Sequence, residues 1–178
     1  MNSRKSTNAL SVKDFKAIIA SDAKATALGL PLNVLISFHP RTTREMELEE
    51  RLAEFKRITN CYCQFGRQNG FERAWLSVRE VALDTMAEHL HLLCHVPHKQ
   101  RAKLVANAKG WGREPDACHA RTASTKGYWS DAGYWFSDLL YICKQMSPQA
   151  VFRRPYHRIG GAPIEGARWG ASRNIKGG

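Results

Sequence analysis

The spacing of apolar residues along the chain predicts four β-strands. In the first three segments, apolar side chains recur at every second position or form a short continuous run, which is typical of strands buried on one or both faces, and the fourth is a short segment between polar stretches. In the first segment, for example, Val34, Ile36 and Phe38 share one face. The predicted strands are residues 31–39, 74–83, 89–96 and 116–123.

A second period, of three to four residues, predicts the helices. It is clearest in a highly charged segment in which Leu52, Phe55 and Ile58 recur at helical spacing. Ser130 precedes another such segment and is a suitable N-cap, because its hydroxyl can accept a hydrogen bond from a free backbone N–H. The predicted helices are residues 12–29, 43–66, 98–109 and 130–146.

This order of elements indicates an α+β domain built on an antiparallel sheet, with one strand pair joined by a short connection. We expect three parts: a helical arm at residues 1–30, a central domain at residues 31–148 and a tail at residues 149–178. The tail is rich in arginine, glycine and proline and has no clear period, which predicts a loop or tail.

The third predicted strand carries histidines on one face. Because side chains alternate across a strand, His89, His91 and His95 lie on the same side. Two imidazoles at positions i and i+2 can bind one divalent metal ion. An alternative is that these histidines are hydrogen-bonded and inert. The H-x-H pattern also occurs in cupin-type sites and in non-haem iron oxygenases.

The preceding strand offers a third metal ligand. If residues 84–87 connect the two strands as a hairpin, Glu80 lies opposite His91 and Ala82 lies opposite His89. Side chains opposite each other are about 5 Å apart, so Glu80, His89 and His91 are expected to converge. A carboxylate on an apolar face is costly unless it is neutralised, and a metal ion removes that cost. The prediction depends on the register of the strand pair.

Charge and cysteine content narrow the class of protein. The 178 residues include 27 Lys and Arg against 16 Asp and Glu, a net charge of +11. Residues 121–178 alone carry nine basic and three acidic residues, a net charge of +6. An anionic partner such as nucleic acid is therefore expected.

An odd number of cysteines, five, without a CxxC pair favours a reducing compartment. Neither a signal peptide nor a membrane-spanning run is recognisable, so we expect a cytoplasmic protein.

The predicted helix at 130–146 contains a candidate nucleophile. Tyr141 and Lys144 are three residues apart and so lie on one face, with Asp138 one turn before them. A phenol needs activation to act as a nucleophile, and a nearby cation favours the phenolate. The alternative is that Tyr141 is a core aromatic and Lys144 is a solvated charge.

Taken together, HLH at 89–91 and YxxK at 141–144 resemble the motifs of the HUH endonucleases, the single-tyrosine replication initiators of bacterial mobile elements and phages. NVLISFHP at 33–40 resembles their first motif, and ARWGASRNI at 167–175 resembles a weaker one. The resemblance covers about residues 31–175. It implies a central antiparallel sheet of about five strands with flanking helices, similar to RNA-recognition and ferredoxin-like domains.

The resemblance also implies a function. Glu80, His89 and His91 would hold Mg²⁺ or Mn²⁺, Tyr141 would attack single-stranded DNA to leave a 5′-phosphotyrosine, and Lys144 would stabilise charge. The substrate would be an origin or a hairpin. The sequence has no GxxxxGK[ST] motif, so a separate host helicase is expected. Basic side chains of the tail would contact phosphates: Arg153, Arg154, Arg158, Arg168 and Arg173.

Two other functions compete with nicking. A non-catalytic nucleic-acid-binding module of similar architecture would use the same arginines and would form no covalent adduct. An iron-dependent oxygenase would use the same histidines and Glu80, with no role for Tyr141. The net charge of +11 and the tyrosine helix favour the endonuclease.

Overall fold

The computed structural model describes residues 6–40, 45–82, 86–124, 128–129, 135–145 and 162–176. Nine strands lie in these ranges. They are β1 Ser6–Thr7, β2 Val34–Phe38, β3 Trp75–Val81, β4 Glu88–Cys94, β5 Cys118–Thr122, β6 Tyr128–Trp129, β7 Trp135–Phe136, β8 Ile164–Glu165 and β9 Trp169–Ala171. The helices are α1 Val12–Ala27, α2 Leu48–Gln68, α3 His98–Ala108 and α4 Asp138–Ile142.

A five-stranded sheet forms the centre of the fold. Its strand order is β5-β2-β4-β3-β9, and every neighbouring pair is antiparallel. The predicted α+β class and antiparallel sheet are therefore confirmed. The two-residue strands pair outside this sheet, β1 with β8 and β6 with β7. None of the described helices is both long enough and apolar enough to span a bilayer.

Both faces of the sheet are covered, which divides the core into two layers. On one face, Ile36 and Leu92 pack against α2 and α3, whose buried residues include Tyr62 and Leu104. On the other face, Leu35, Leu76 and Leu93 pack with Ile18 of α1 and Ile142 at the end of α4. Since neither face is open to water, β4 is buried at all seven positions. The histidines of β4 therefore point towards the α1 and α4 layer.

The helix predicted at residues 130–146 is much shorter in the structure. Among the described residues of that range, only Asp138–Ile142 is helical, and the N-cap is Ser137, whose side chain accepts a hydrogen bond from Leu140 N at 3.3 Å. Residues 128–129 and 135–136 pair as strands instead, while Ser130 and Tyr134 lie outside the described residues. The aromatic residues around Gly133 favour β-structure, and a glycine inside a helix is costly, so the longer helix is wrong.

The C-terminal segment was predicted to be a loop or tail, and for residues 162–176 that prediction is wrong. β9 pairs with β3, with Val78 opposite Trp169, and so supplies the fifth strand of the sheet. Arg79 donates to the backbone carbonyls of Glu165 and Ala167 at 3.0 and 2.9 Å, which holds the bend between β8 and β9. A three-residue strand is too short to show a period, and its partner lies about ninety residues earlier in the chain.

The described part of the predicted N-terminal arm belongs to the same core. Ile18 and Ala25 of α1 are fully buried against the sheet, and β1 pairs with β8 near the other end of the chain. The helix begins with a capping box, in which Ser11 and Asp14 each accept from the other's backbone N–H. The described residues of the predicted arm and tail therefore pack together with the central segment.

Candidate metal and tyrosine site

The β3–β4 hairpin places Glu80 directly opposite His89, and Val78 opposite His91. The predicted register, with Glu80 opposite His91, is therefore wrong by two residues. The loop between the two strands is longer than the predicted four residues, because strand pairing ends at Val81 and Glu88. Beyond that pair, Ala82 N donates a hydrogen bond to Ala87 O. A shift of two residues leaves every side chain on its original face. Glu80 thus shares a face with both histidines, as predicted.

Glu80, His89 and His91 form a buried cluster whose ligand atoms all lie within 4.8 Å of one another. Glu80 Oε2 is 3.1 Å from His89 Nε2 and 3.2 Å from His91 Nε2. The side chains of Glu80 and His91 are fully buried and that of His89 is nearly so. One carboxylate and two imidazoles facing a common point could hold a divalent metal ion.

Lys144 supplies a positive charge to this cluster. Its Nζ donates to Glu80 Oε2 and lies 3.4 Å from His91 Nε2. Burial alone raises the pKa of a carboxyl, yet the hydrogen bonds of Glu80 with His89 and His91, together with Lys144, hold the pKa of Glu80 well below its ordinary value. Burial lowers the pKa of His91. The cluster is therefore an ionised carboxylate beside a neutral imidazole, the form in which both can bind a metal.

Two features of the cluster fit a metal ion. Glu80 Oε1 is buried and has no hydrogen-bond partner among the described residues, so a second carboxylate oxygen remains available. Ser37 Oγ lies 2.9 Å from His91 Nδ1 and so engages the ring nitrogen that faces away from Glu80. Metal-binding histidines are commonly held in this way through their other nitrogen. In the present structure the Lys144 ammonium is the cation that contacts Glu80.

Tyr141 lies beside this cluster. Its ring centroid is 5.2 Å from that of His91, in an edge-to-face arrangement, and Lys144 Nζ lies 3.9 Å from the centre of the Tyr141 ring. Helix α4 ends at Ile142, and Lys144 N donates to Tyr141 O at 3.1 Å in the turn that follows. That turn brings both side chains of the YxxK motif to the cluster of Glu80, His89 and His91.

Asp138, which was predicted to lie one turn before Tyr141, makes its hydrogen bonds to Arg121 and Ser124, at the end of β5. Its side chain is 1% exposed, and it accepts hydrogen bonds from both terminal nitrogens of Arg121 and from Ser124 N at 2.6 Å. These contacts fasten the start of α4 to the end of β5. Asp138 therefore holds the helix that carries Tyr141 against the sheet.

The five arginines predicted to contact phosphate differ in position. Arg168 is 3% exposed, and its guanidinium donates to Gln145 Oε1 at 3.0 Å and to Thr7 O at 2.7 Å. Its donors are used within the fold, so Arg168 is reassigned from phosphate contact to structure. Arg173 is exposed next to β9. The others lie outside the described residues: Arg153, Arg154 and Arg158.

Two further residues contact the site: Ser37, which was missed from the sequence, and His39, which was left without an assigned role. The ring of His39 stacks on that of His89, with 4.4 Å between centroids. Ser37 lies on the face of β2 opposite to Ile36, and His39, which directly follows the strand, is two residues further along in the same alternation. Alternation alone does not show that these residues are close to the histidines. Their proximity follows from the pairing of β2 with β4, which places Ser37 opposite His91.

Comparison of the chain with protein-family models, with curated proteins and with solved structures finds no significant match. The function must therefore be argued from the geometry of these residues.

Proposed function

We propose that this protein nicks single-stranded DNA with the hydroxyl of Tyr141 and keeps one DNA end as a 5′-phosphotyrosine. The observation that carries the proposal is the convergence of two motifs about fifty residues apart in sequence. Lys144 contacts Glu80, and the ring of Tyr141 packs against that of His91. A structural tyrosine has no need of a lysine and a candidate metal site beside it.

The proposed step is a transesterification at phosphorus. Tyr141 Oη forms a bond to the phosphorus atom, and the bond from phosphorus to the 3′-oxygen breaks. The phenol proton is balanced by the proton that the departing 3′-oxygen takes up, which leaves a free 3′-hydroxyl. Since the phosphodiester is exchanged and not hydrolysed, a 3′-hydroxyl can later attack the phosphotyrosine and reseal a strand.

Each residue of the site has a part in this step. Glu80, His89 and His91 would hold Mg²⁺ or Mn²⁺, and such an ion polarises the scissile phosphate and offsets its charge. Lys144 lies against both the Tyr141 ring and Glu80, and so adds positive charge near the attacking oxygen. Asp138 keeps the helix of Tyr141 in register with the sheet through Arg121.

The proposed biological context follows from this chemistry. Reversible nicking with retention of one end suits the initiation of rolling-circle replication or the mobilisation of a bacterial plasmid or phage. The net charge of +11 suits a polyanionic substrate. Because the sequence has no ATPase motif, the substrate is an already single-stranded origin or hairpin, or a separate helicase opens it. The compartment would be the bacterial cytoplasm.

The first prediction tests the nucleophile. Wild-type protein incubated with 3′-labelled single-stranded oligonucleotides and Mn²⁺ should carry label on a denaturing gel, since that label stays with the 5′-phosphotyrosine fragment. Tyr141→Phe removes only the hydroxyl, so it should abolish the labelled adduct while binding of uncut DNA persists. Tyr134→Phe is the matched control and should retain the adduct.

Label on the Tyr141→Phe protein would exclude Tyr141 as the nucleophile. A wild-type protein that binds DNA but never carries label on a panel of origin and hairpin strands would favour the non-catalytic binding module. Oxidation of a substrate that requires Fe²⁺ and proceeds equally well in Tyr141→Phe would favour the oxygenase.

A further inference from the structure

We propose that His39 is a positioning residue of the metal centre, and that its ring holds the imidazole of His89 in the orientation that directs Nε2 towards the metal. His39 directly follows β2, and its backbone N–H donates to Ala117 O at 2.7 Å, which fastens it beside β5. The inference concerns metal binding and rests on the metal centre of the proposed function.

The two metal-binding histidines are held in different ways. His91 has Ser37 Oγ at 2.9 Å from its Nδ1. His89 has no such support, because its Nδ1 is buried and finds no hydrogen-bond partner among the described residues. Rotation of an imidazole about its Cβ–Cγ bond is soft, so a ligand without a second contact is poorly oriented. The contact of His89 Nε2 with Glu80 Oε2, at 3.1 Å, uses the nitrogen that a metal would take, so with metal bound something other than a hydrogen bond must fix the ring of His89.

The ring of His39 meets that need. It lies over the ring of His89, with 4.4 Å between centroids and 22° between planes. Against His91 it presents an edge, at 5.6 Å and 72°. Rotation of the His89 ring out of its present plane would drive ring atoms into His39. Because His39 is itself exposed, the contact serves the neighbouring ligand more than the core.

The test compares Mn²⁺ binding by wild type, His39→Ala and His39→Phe, measured by calorimetry and by the electron paramagnetic resonance signal of free Mn²⁺. Loss of a group that orients a metal ligand typically weakens metal binding by roughly tenfold or more. We expect that loss in His39→Ala, and affinity close to wild type in His39→Phe, which keeps a flat ring but has no nitrogen. Ser37→Ala should show a loss similar to that of His39→Ala.

Thermal unfolding of the metal-free proteins gives the folding control, and little change is expected because His39 is exposed. If His39→Phe binds Mn²⁺ as weakly as His39→Ala, the nitrogen of His39 is required and stacking is not its role. If His39→Ala binds like wild type, His39 has no role in the site. The expected order of affinities without any covalent DNA adduct would support the role of His39 and reject only the endonuclease. A wild-type protein that binds no Mn²⁺ would overturn both the metal centre and this role.

Discussion

Three nitrogen atoms approach a single carboxylate oxygen, Glu80 Oε2: Nε2 of His89, Nε2 of His91 and Nζ of Lys144. The lysine contacts the same oxygen that the two imidazoles face. A metal ion held by Glu80 and the histidines and the ammonium group of Lys144 therefore compete for the same negative charge. For the proposed metal centre, we therefore expect Lys144 to stabilise the metal-free site and to oppose metal binding.

A prediction follows for Lys144→Met, which keeps much of the length of the side chain and removes its charge. The metal-free variant should be less stable than wild type by roughly 3 kcal/mol, because Glu80 is left ionised and buried without its cation. Mn²⁺ should bind about tenfold more tightly than to wild type and should restore most of the lost stability. Urea unfolding with and without Mn²⁺ measures both effects.

Lys16→Met is the control, since Lys16 is exposed on α1, and it should leave both quantities unchanged. Weaker Mn²⁺ binding by Lys144→Met would show that the lysine supports the metal and does not compete with it.

A site residue could be predicted from the sequence when alternation within its own strand was enough to assign it to the face of the site. His89, His91 and Glu80 were assigned to a common face by alternation alone, and a register error of two residues did not change that face. Ser37 was missed and His39 was left without a role because their proximity to the site depends on pairing between strands about fifty residues apart. Alternation within one strand carries no information about which strand lies beside it.

Among the elements, the long ones were predictable and the short ones were not. α2 has a pronounced apolar stripe, and β2, β3 and β4 have clear alternation or apolar runs, so local sequence determines them. α4 has one turn, and β9 has three residues. Such elements are set by tertiary contacts, here those of Asp138 with Arg121 and of β9 with β3.

A side-chain hydrogen bond joins helix α1, early in the chain, to strand β9, about 150 residues later. Asp14 caps the start of α1, and its Oδ1 accepts a hydrogen bond from Trp169 Nε1 of β9 at 2.9 Å. Asp14→Ala should lower the free energy of unfolding by about 2 kcal/mol, the sum of a lost cap and a lost charge-assisted hydrogen bond. Urea unfolding measures this, and Glu45→Ala, at an exposed position outside the helices, should change it little.

The same contact gives a pH dependence. Burial raises the pKa of Asp14, but the hydrogen bonds of its carboxylate with Ser11 and Trp169 lower the pKa by more than burial raises it. The pKa of Asp14 therefore lies below its ordinary value. A depressed pKa means that the contribution is complete above the ordinary aspartate pKa and is lost as pH falls through the native value. The stability difference between wild type and Asp14→Ala should therefore shrink in acid. A difference that is constant with pH would show that the carboxylate charge contributes nothing.

For the whole molecule, the basic C-terminal third contains arginines of two kinds. Arg168 is buried and held within the fold, whereas Arg153, Arg154 and Arg158 lie outside the described residues and are proposed to contact DNA. Changing those three to Gln should weaken binding of single-stranded DNA and reduce the slope of log affinity against log salt by about two, at roughly 0.7 per lost phosphate contact. Lys13, Lys16 and Lys56 are exposed on helices, and their triple change to Gln removes equal charge as a control.

Arg168→Met should behave in the opposite way, with a loss of stability of about 2 kcal/mol or more and no change in the salt slope. The reason is that Gln145 Oε1 and Thr7 O both lose the hydrogen bond that Arg168 donates, and Gln145 Oε1 keeps only a long contact with Val81 N at 3.5 Å. If the variant at Arg153, Arg154 and Arg158 and the lysine control had equal salt slopes, DNA affinity would depend on the net charge of the protein and not on the position of these arginines.

The pairing of β1 with β8 and of β9 with β3 has a consequence for synthesis of the protein. A chain growing on the ribosome already contains Glu80, His89 and His91 about fifty residues before it contains Tyr141. The edge of β3 stays uncovered until residues 169–171 have left the exit tunnel, and the first strand has no partner until residues 164–165 have appeared. A chain that lacks residues 164–171 can bring the candidate metal ligands together but cannot pair the edge of β3. On the proposed function, the capacity to cut DNA is thus acquired only after those residues have emerged.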